Sequence, residues 1–216
     1  AESAWTWEHL ALPRARAILG PPELRQRLTD TIDGILTSPR DADALLKDVA
    51  DMRARLDADR HTDCLWALKH LRGGLVDIEF IVQYLTLKHA PAHPELLGLG
   101  TRATLAALIE VRHLAADAGV ILAEALDLWQ GLQGLLALTI EGEVTSASEE
   151  DISKALKEDL VRVAGGASDQ AANFARLKKT IRERADKVYA LFRDLIESPA
   201  AALPTAETDS QKETTP

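Results

Sequence analysis

The stretch Lys69-His70-Leu71-Arg72-Gly73-Gly74 runs directly into Leu75-Val76-Asp77-Ile78-Glu79-Phe80-Ile81-Val82-Gln83-Tyr84. These residue types suit anion chemistry. Lys69 and Arg72 supply positive charge. Gly73-Gly74 lets the backbone take positive φ and lets another group come close. A helix starting at Leu75 would offer free N–H groups to an anion, and its dipole would favour the acids Asp77 and Glu79 in the first turns. Glu79 and Gln83 are four apart and share a helix face. Two readings stay open. In one, the stretch is the wall of a phosphate or other anion site. In the other, it is a buried helix start whose acids pair with Lys69 and Arg72, the nearest cations in sequence.

Other constellations carry less. Asp41-Ala42-Asp43 and Asp57-Ala58-Asp59 each spell D-x-D. Nucleotidyltransferases hold Mg²⁺ with such pairs on a strand, but these fall at helix ends with no Gly-Ser before them, so both read as solvated caps. Glu110 and His113 have E-x-x-H spacing, but a di-iron bundle needs two such pairs and two further glutamates. His113 therefore reads as a surface or satisfied helical histidine. The single cysteine, Cys64, excludes an internal disulfide and a cysteine zinc site. No metal ligand set is expected.

Two strings together are recognisable. The GG-L-V-D-I-E-F-I-V-Q-Y core of Lys69–Tyr84 and the opening Ala4-Trp5-Thr6-Trp7-Glu8-His9-Leu10-Ala11-Leu12-Pro13-Arg14-Ala15-Arg16 resemble, in order and separation, the glutamine synthetase adenylyltransferase family. The resemblance is specific over roughly residues 4 to 140. It implies the helical domain that follows a catalytic nucleotidyltransferase domain in the adenylylating half. The family moves AMP from ATP onto a tyrosine of glutamine synthetase and, in its other half, removes it by phosphorolysis. The resemblance places Glu8, Arg14 and Arg16 beside Lys69, Arg72, Gly73, Gly74, Asp77, Glu79 and Gln83 on the nucleotide side of a cleft. It implies Mg²⁺ and ATP bound mainly by a catalytic domain, with glutamine synthetase as partner and the PII signal protein and glutamine as candidate effectors. The family's metal-binding carboxylates precede the tryptophan motif, so this segment alone is expected to be inactive. A free-standing helical regulatory module, or a helical appendage of a uridylyltransferase, are the alternatives.

The elements that must hold these residues read as helices. Apolar residues make up 46% and aromatics 4%, so the core is built of Leu, Ala, Ile and Val, and no alternating strand pattern appears. The expectation is an all-α bundle of seven to nine helices over residues 1–198 and a disordered tail over 199–216. Helices are expected over Ser3–Leu19 with a kink or restart at Pro13, Pro22–Leu36, Pro39–Ala58, Leu75–Ala90, Thr101–Gly119, Leu122–Ile140, Ser148 to about Gly165, and Ser168–Glu197. A short extended piece is expected at Cys64–Leu68. Trp5 and Trp7 read as core. Gly131 and Gly134 weaken their helix unless a neighbour packs closely. Arg176, Lys178, Lys179, Arg182 and Arg184 read as a solvated face, with an acidic docking partner as the alternative.

The net charge is −9 over 216 residues, a poor balance for general nucleic-acid binding. No segment has the apolar length to span a membrane. A reducing cytoplasm fits the composition.

Overall fold

A computed structural model describes residues 6–142, 149, 152–165 and 170–204. The protein is all-α, with no strand among the described residues. Helix α1 spans Thr6–Ala11 and tightens into a 3-10 turn, Leu12–Arg14. Buried Pro13 has no amide to continue the ladder, and Ala15 is extended. The helix expected to reach Leu19, with a kink or restart at Pro13, therefore ends with this turn at Arg14. Helix α2, Pro22–Leu36, opens on a proline at its first position, where no amide is needed.

Helix α3 is Ala42–Arg60. Asp41 caps it, its Oδ1 accepting from the amides of Asp43 at 3.0 Å and Ala44 at 2.8 Å, so it starts after Pro39. The extended piece expected at Cys64–Leu68 is a series of turns, with the Ala67 amide on the Cys64 carbonyl and the His70 amide on that of Ala67. Helix α4, Leu75–His89, is buried on nearly every side, and α3, α5, α6 and α8 pack around it.

Helices α5, Thr101–Glu110, and α6, Ala116–Thr139, replace the expected single helix to Gly119. The chain turns at 111–115, where Arg112 takes φ 60°. Gly119 is a close crossing rather than a stop: a Cβ there would lie 2.3 Å from Cδ1 of Ile109. Gly131 likewise faces Val163, whereas Gly134 faces open space.

Helix α7, Lys154–Val163, is capped by Ser153, whose Oγ accepts from the Leu156 amide. The capping pair expected at Ser148 and Asp151, and the start expected at Ser168, lie outside the described residues. So do the side chains of Trp5 and Trp7. Helix α8, Gln170–Phe192, buries a stripe of Leu177, Ile181, Ala185, Val188 and Phe192. It widens into a π-turn, Arg193–Glu197, and closes as α9, Ser198–Ala201. The widening falls just before Pro199, which has no amide for the carbonyl four residues back.

Helical structure thus passes residue 198, and Ala200 and Leu203 pack against the core. The rest of the expected tail, 205–216, is outside the described residues. The basic residues of α8 are largely tied to the molecule itself. Lys178 meets Glu149 at 2.5 Å, Lys179 meets Glu183 and Arg184 meets Glu124. No helix among the described residues is long and apolar enough to cross a membrane.

Candidate functional site

The first turns of α4 carry two polar clusters, one on each side. Asp77 points inward and its side chain is 0% exposed. Its partner is Arg53 of α3, 1% exposed, whose Nε donates to Oδ1. The Gly73 amide donates to Oδ2 at 2.5 Å. Arg53 also reaches Asp57 Oδ1 at 3.3 Å and the His70 carbonyl at 3.5 Å. Arg72 lies alongside, its NH2 donating to Glu197 Oε1 at 2.6 Å. Its Nε stands 3.6 Å from Asp57 Oδ2, and its guanidinium covers the Tyr189 ring at 4.9 Å. The Tyr189 hydroxyl donates to Glu197 Oε2.

Two guanidinium groups and three carboxylates thus form one knot joining α3, the 68–74 turn, α4 and the end of α8. Burial raises the pKa of the Asp77 carboxyl, while Arg53, the Gly73 amide and Arg72 act against that rise. Burial works against the charge on Arg72, but Asp77, Glu197 and Asp57 together outweigh it and its pKa is raised.

The glycine pair serves this knot. Gly73 has φ +78°, and a Cβ there would lie 1.9 Å from the Ala185 carbonyl oxygen of α8. The close approach read from Gly73-Gly74 is therefore made by the protein's own helix. At Gly74 a Cβ would meet the Leu68 carbonyl oxygen at 2.3 Å. Buried Trp129 of α6 donates from Nε1 to the Gly73 carbonyl at 3.1 Å. The amides of Gly74, Leu75, Val76 and Ile78 bond the carbonyls of Leu71, Leu68, Lys69 and Gly74. Together with Gly73's bond to Asp77, they leave this turn without the row of free N–H groups that an anion wall would use.

On the outer side of α4, Glu79 Oε1 accepts from Arg14 NH1 at 2.7 Å, with the two side chains 29% and 55% exposed. Arg14 and Gln83 line a shallow groove with Pro13, Thr86, Leu96 and Thr104. Its free volume is about 10 Å³, a single water's worth. This is an edge, not a pocket that could enclose a nucleotide. Arg16 and Lys69 are exposed, and neither forms an ion pair among the described residues. Glu8 is half-buried.

The expected set is therefore divided. Arg72, Gly73, Gly74 and Asp77 belong to the buried knot, and Arg14, Glu79 and Gln83 to the surface edge. Asp77 pairs chiefly with Arg53 rather than with Lys69, and Glu79 pairs with Arg14 rather than orienting Lys69 or Arg72. Sequence reasoning missed Arg53 and Glu197, and it read Asp57 as a solvated cap. A signal for two of them existed: Leu45, Val49, Arg53 and Asp57 form one four-residue series down the buried face of α3. Asp57, Asp77 and Glu197 each face a guanidinium, a donor set that does not fit Mg²⁺. Among the described residues no group of three or more His, Cys, Asp and Glu side chains converges as metal ligands would.

His113 lies in the turn after α5, its ring stacked 3.6 Å from that of His89 and edge-on to His93 at 4.9 Å. Burial and the neighbouring His113, Lys88 and His93 lower the His89 pKa to about 4.

These features define a class: an all-α module whose central helix is pinned by a buried ion network and presents a charged edge to solvent. The family model described as GlnD PII-uridylyltransferase matches residues 44–196. Bifunctional glutamine synthetase adenylyltransferase/adenylyl-removing enzymes match over more of the chain. The protein of Rhodopseudomonas palustris strain BisB5 is 39% identical over 193 residues, 89% of this chain and 19% of its own length. That of Xanthobacter autotrophicus is 37% identical over 199 residues, 92% of this chain and 19% of its length. That of Bradyrhizobium diazoefficiens is 35% identical over 204 residues, 94% and 20%. The chain belongs to the glutamine synthetase adenylyltransferase family and contains the helical domain of the GlnD PII-uridylyltransferase type. It spans about a fifth of the length of the curated relatives it matches.

Proposed function

We propose that the chain is the helical domain of a glutamine synthetase adenylyltransferase, and that the Arg14–Glu79 edge is one wall of the cleft in which AMP passes from ATP to a tyrosine of glutamine synthetase. One observation carries this reading. Arg14 lies in the tryptophan motif and Glu79 in the V-D-I-E-F motif, 65 residues later, and the two meet as an ion pair at an exposed edge. The edge is too shallow to hold a nucleotide by itself, so it needs a facing domain. Arg16 and Lys69, exposed without ion-pair partners among the described residues, are positive charges available to that domain or its nucleotide. Mg²⁺ and ATP are held, in this reading, by carboxylates outside this chain. Glutamine synthetase is the protein substrate, PII and glutamine are effectors, and the setting is the cytoplasm.

A second reading, the helical part of a PII-uridylyltransferase, is favoured by the match to that family model. The 204-residue match to the Bradyrhizobium diazoefficiens adenylyltransferase leaves 12 residues of this chain uncovered, so as one run it reaches ahead of 44 and takes in Arg14, and this favours the first reading.

The test replaces Arg14, Glu79 and Lys69 singly by Ala in the polypeptide expressed from its complete reading frame. Folding and AMP transfer to glutamine synthetase are then measured. A lost contact made in the transition state costs on the order of 2–4 kcal/mol, or one to three decades of rate. An exposed pair or a surface lysine changes stability by less than about 1 kcal/mol. Arg14→Ala and Lys69→Ala should therefore lose rate while keeping the thermal midpoint. Full transfer activity in both variants would refute the cleft-wall reading.

A further inference from the structure

Helix α2 carries one apolar row, Leu24, Leu28, Ile32 and Leu36, at four-residue spacing. The row is divided along its length. Leu36 is 1% exposed, and Ile32 packs against the core. Leu28 and Leu24 emerge at 46% and 48% exposure. Ile18 and Leu19, in the segment just before the helix, are 72% and 89% exposed. A row that starts in the core and continues into solvent is half of an interface, and exposed apolar patches of this kind mark contact surfaces.

Charge distinguishes the same face. Residues 16–28 carry Arg16, Arg25 and Arg27 against Glu23, a net +2 in a chain of net −9. At 3.6 residues per turn, Arg25 and Arg27 flank the Leu24–Leu28 row on either side. Glu23 and Asp30 fall on the far half, where Gln26 bonds Asp30 at 2.7 Å.

The helical family model begins at residue 44, after α2. Residues 44–216 number 173, so a 193-residue match to the adenylyltransferase relatives must include at least 20 of the first 43. As one run that match takes in residues 24–43, so most of α2 is shared with enzymes about five times as long as this chain and lies outside the common helical unit.

We propose that the Ile18–Leu28 face docks against a neighbouring domain of the same polypeptide, one presenting an apolar surface edged with carboxylates. The proposal rests on the reading of this chain as part of a longer adenylyltransferase. The apolar side chains would supply the contact, and the flanking arginines would select an acidic rim and orient it. The face lies in the segment that follows Arg14, so docking there would also place that domain beside the Arg14–Glu79 edge.

The test uses the polypeptide from its complete reading frame, with a photo-cross-linking residue placed at Leu24, at Leu28 or, as control, at Gln26. The expected result is intramolecular cross-linking from Leu24 and Leu28 to residues outside these 216. Its yield should be roughly ten times that from Gln26, because only side chains within about 4.5 Å are in contact. The yield should also fall at high salt, as screening weakens the arginine–carboxylate rim. Cross-links to a second copy, cross-links confined to residues 42–204, or yields equal to the Gln26 control would each overturn it. AMP transfer by the Arg14 and Glu79 variants is read separately. Loss of the cleft-wall reading with intact cross-links would leave the docking face standing, whereas a reading frame ending within these residues would remove both.

Discussion

Arg53 is the perturbation that tests the buried knot most directly. Its side chain is 1% exposed, and it faces a carboxylate, Asp77, that is 0% exposed. Arg53→Met keeps the volume of the aliphatic stem and removes the charge. Asp77 would then retain the Gly73 amide and an Arg72 nitrogen 3.9 Å away, too long for a hydrogen bond. Breaking a buried pair in this way costs about 3–5 kcal/mol, because an uncompensated charge remains. In a domain of about 200 residues this corresponds to a drop of roughly 10 °C in Tm. The double variant Arg53→Met/Asp77→Leu removes both charges and should recover much of the loss, with a coupling above about 2 kcal/mol. Urea unfolding of the four proteins at neutral pH supplies the cycle. A loss under about 1 kcal/mol for Arg53→Met, or strict additivity in the double variant, would refute the account of the knot.

Gly73→Ala should be more damaging than an ordinary glycine substitution. It strains a φ of +78° and drives a Cβ to 1.9 Å from backbone of α8, which must move away and loosen the Trp129 bond, so near-ultraviolet circular dichroism should lose its Trp signal. For His89, the folded pKa of about 4 lies below the ordinary 6.5, so the unfolded chain binds the extra proton first and stability falls as pH drops from about 6.5 toward 4. The unscreened ceiling is about 3 kcal/mol, reduced to roughly 1–2 by solvent at this partly exposed ring. His89→Gln should flatten that part of the stability–pH curve, and an unchanged curve would show that the burial of His89 beside His113, Lys88 and His93 is not its source.

The long apolar helices were readable because their rows repeat at helical spacing over many residues. The helices expected over Pro39–Ala58, Leu75–Ala90 and Ser168–Glu197, found as α3, α4 and α8, follow from that. Breaks were harder. Pro13 could signal a kink or a stop, and only packing decided it, by burying the proline in a 3-10 turn. Gly119 resembled a helix end, yet its function is to admit Ile109 at a crossing, which no local pattern encodes. Gly73-Gly74 correctly signalled a close approach, but the approaching group is α8, more than 100 positions later in the chain. For Asp77 the nearest cations in sequence were Lys69 and Arg72, and its main partner came from α3. Glu197 was the least readable member of the knot, because a π-turn shifts its register relative to the helical stripe before it.

Asp77 and Glu79 show why a buried ion pair is kept where apolar side chains could pack as well. Residues two apart on a helix project roughly 200° from each other, so one can enter the core while the other faces out. Helix α4 is apolar around most of its circumference, and hydrophobic burial alone would hold it at several rotations about its axis with little preference. A single aspartate that must reach Arg53 and the Gly73 amide selects one rotation, since any other leaves a charge buried without a partner. That choice sets the direction of Glu79 and, one turn on, of Gln83. The knot and the exposed edge are therefore two ends of one device. The inner end fixes the azimuth of α4, and the outer end presents Arg14, Glu79 and Gln83 in the arrangement that the fixed azimuth dictates.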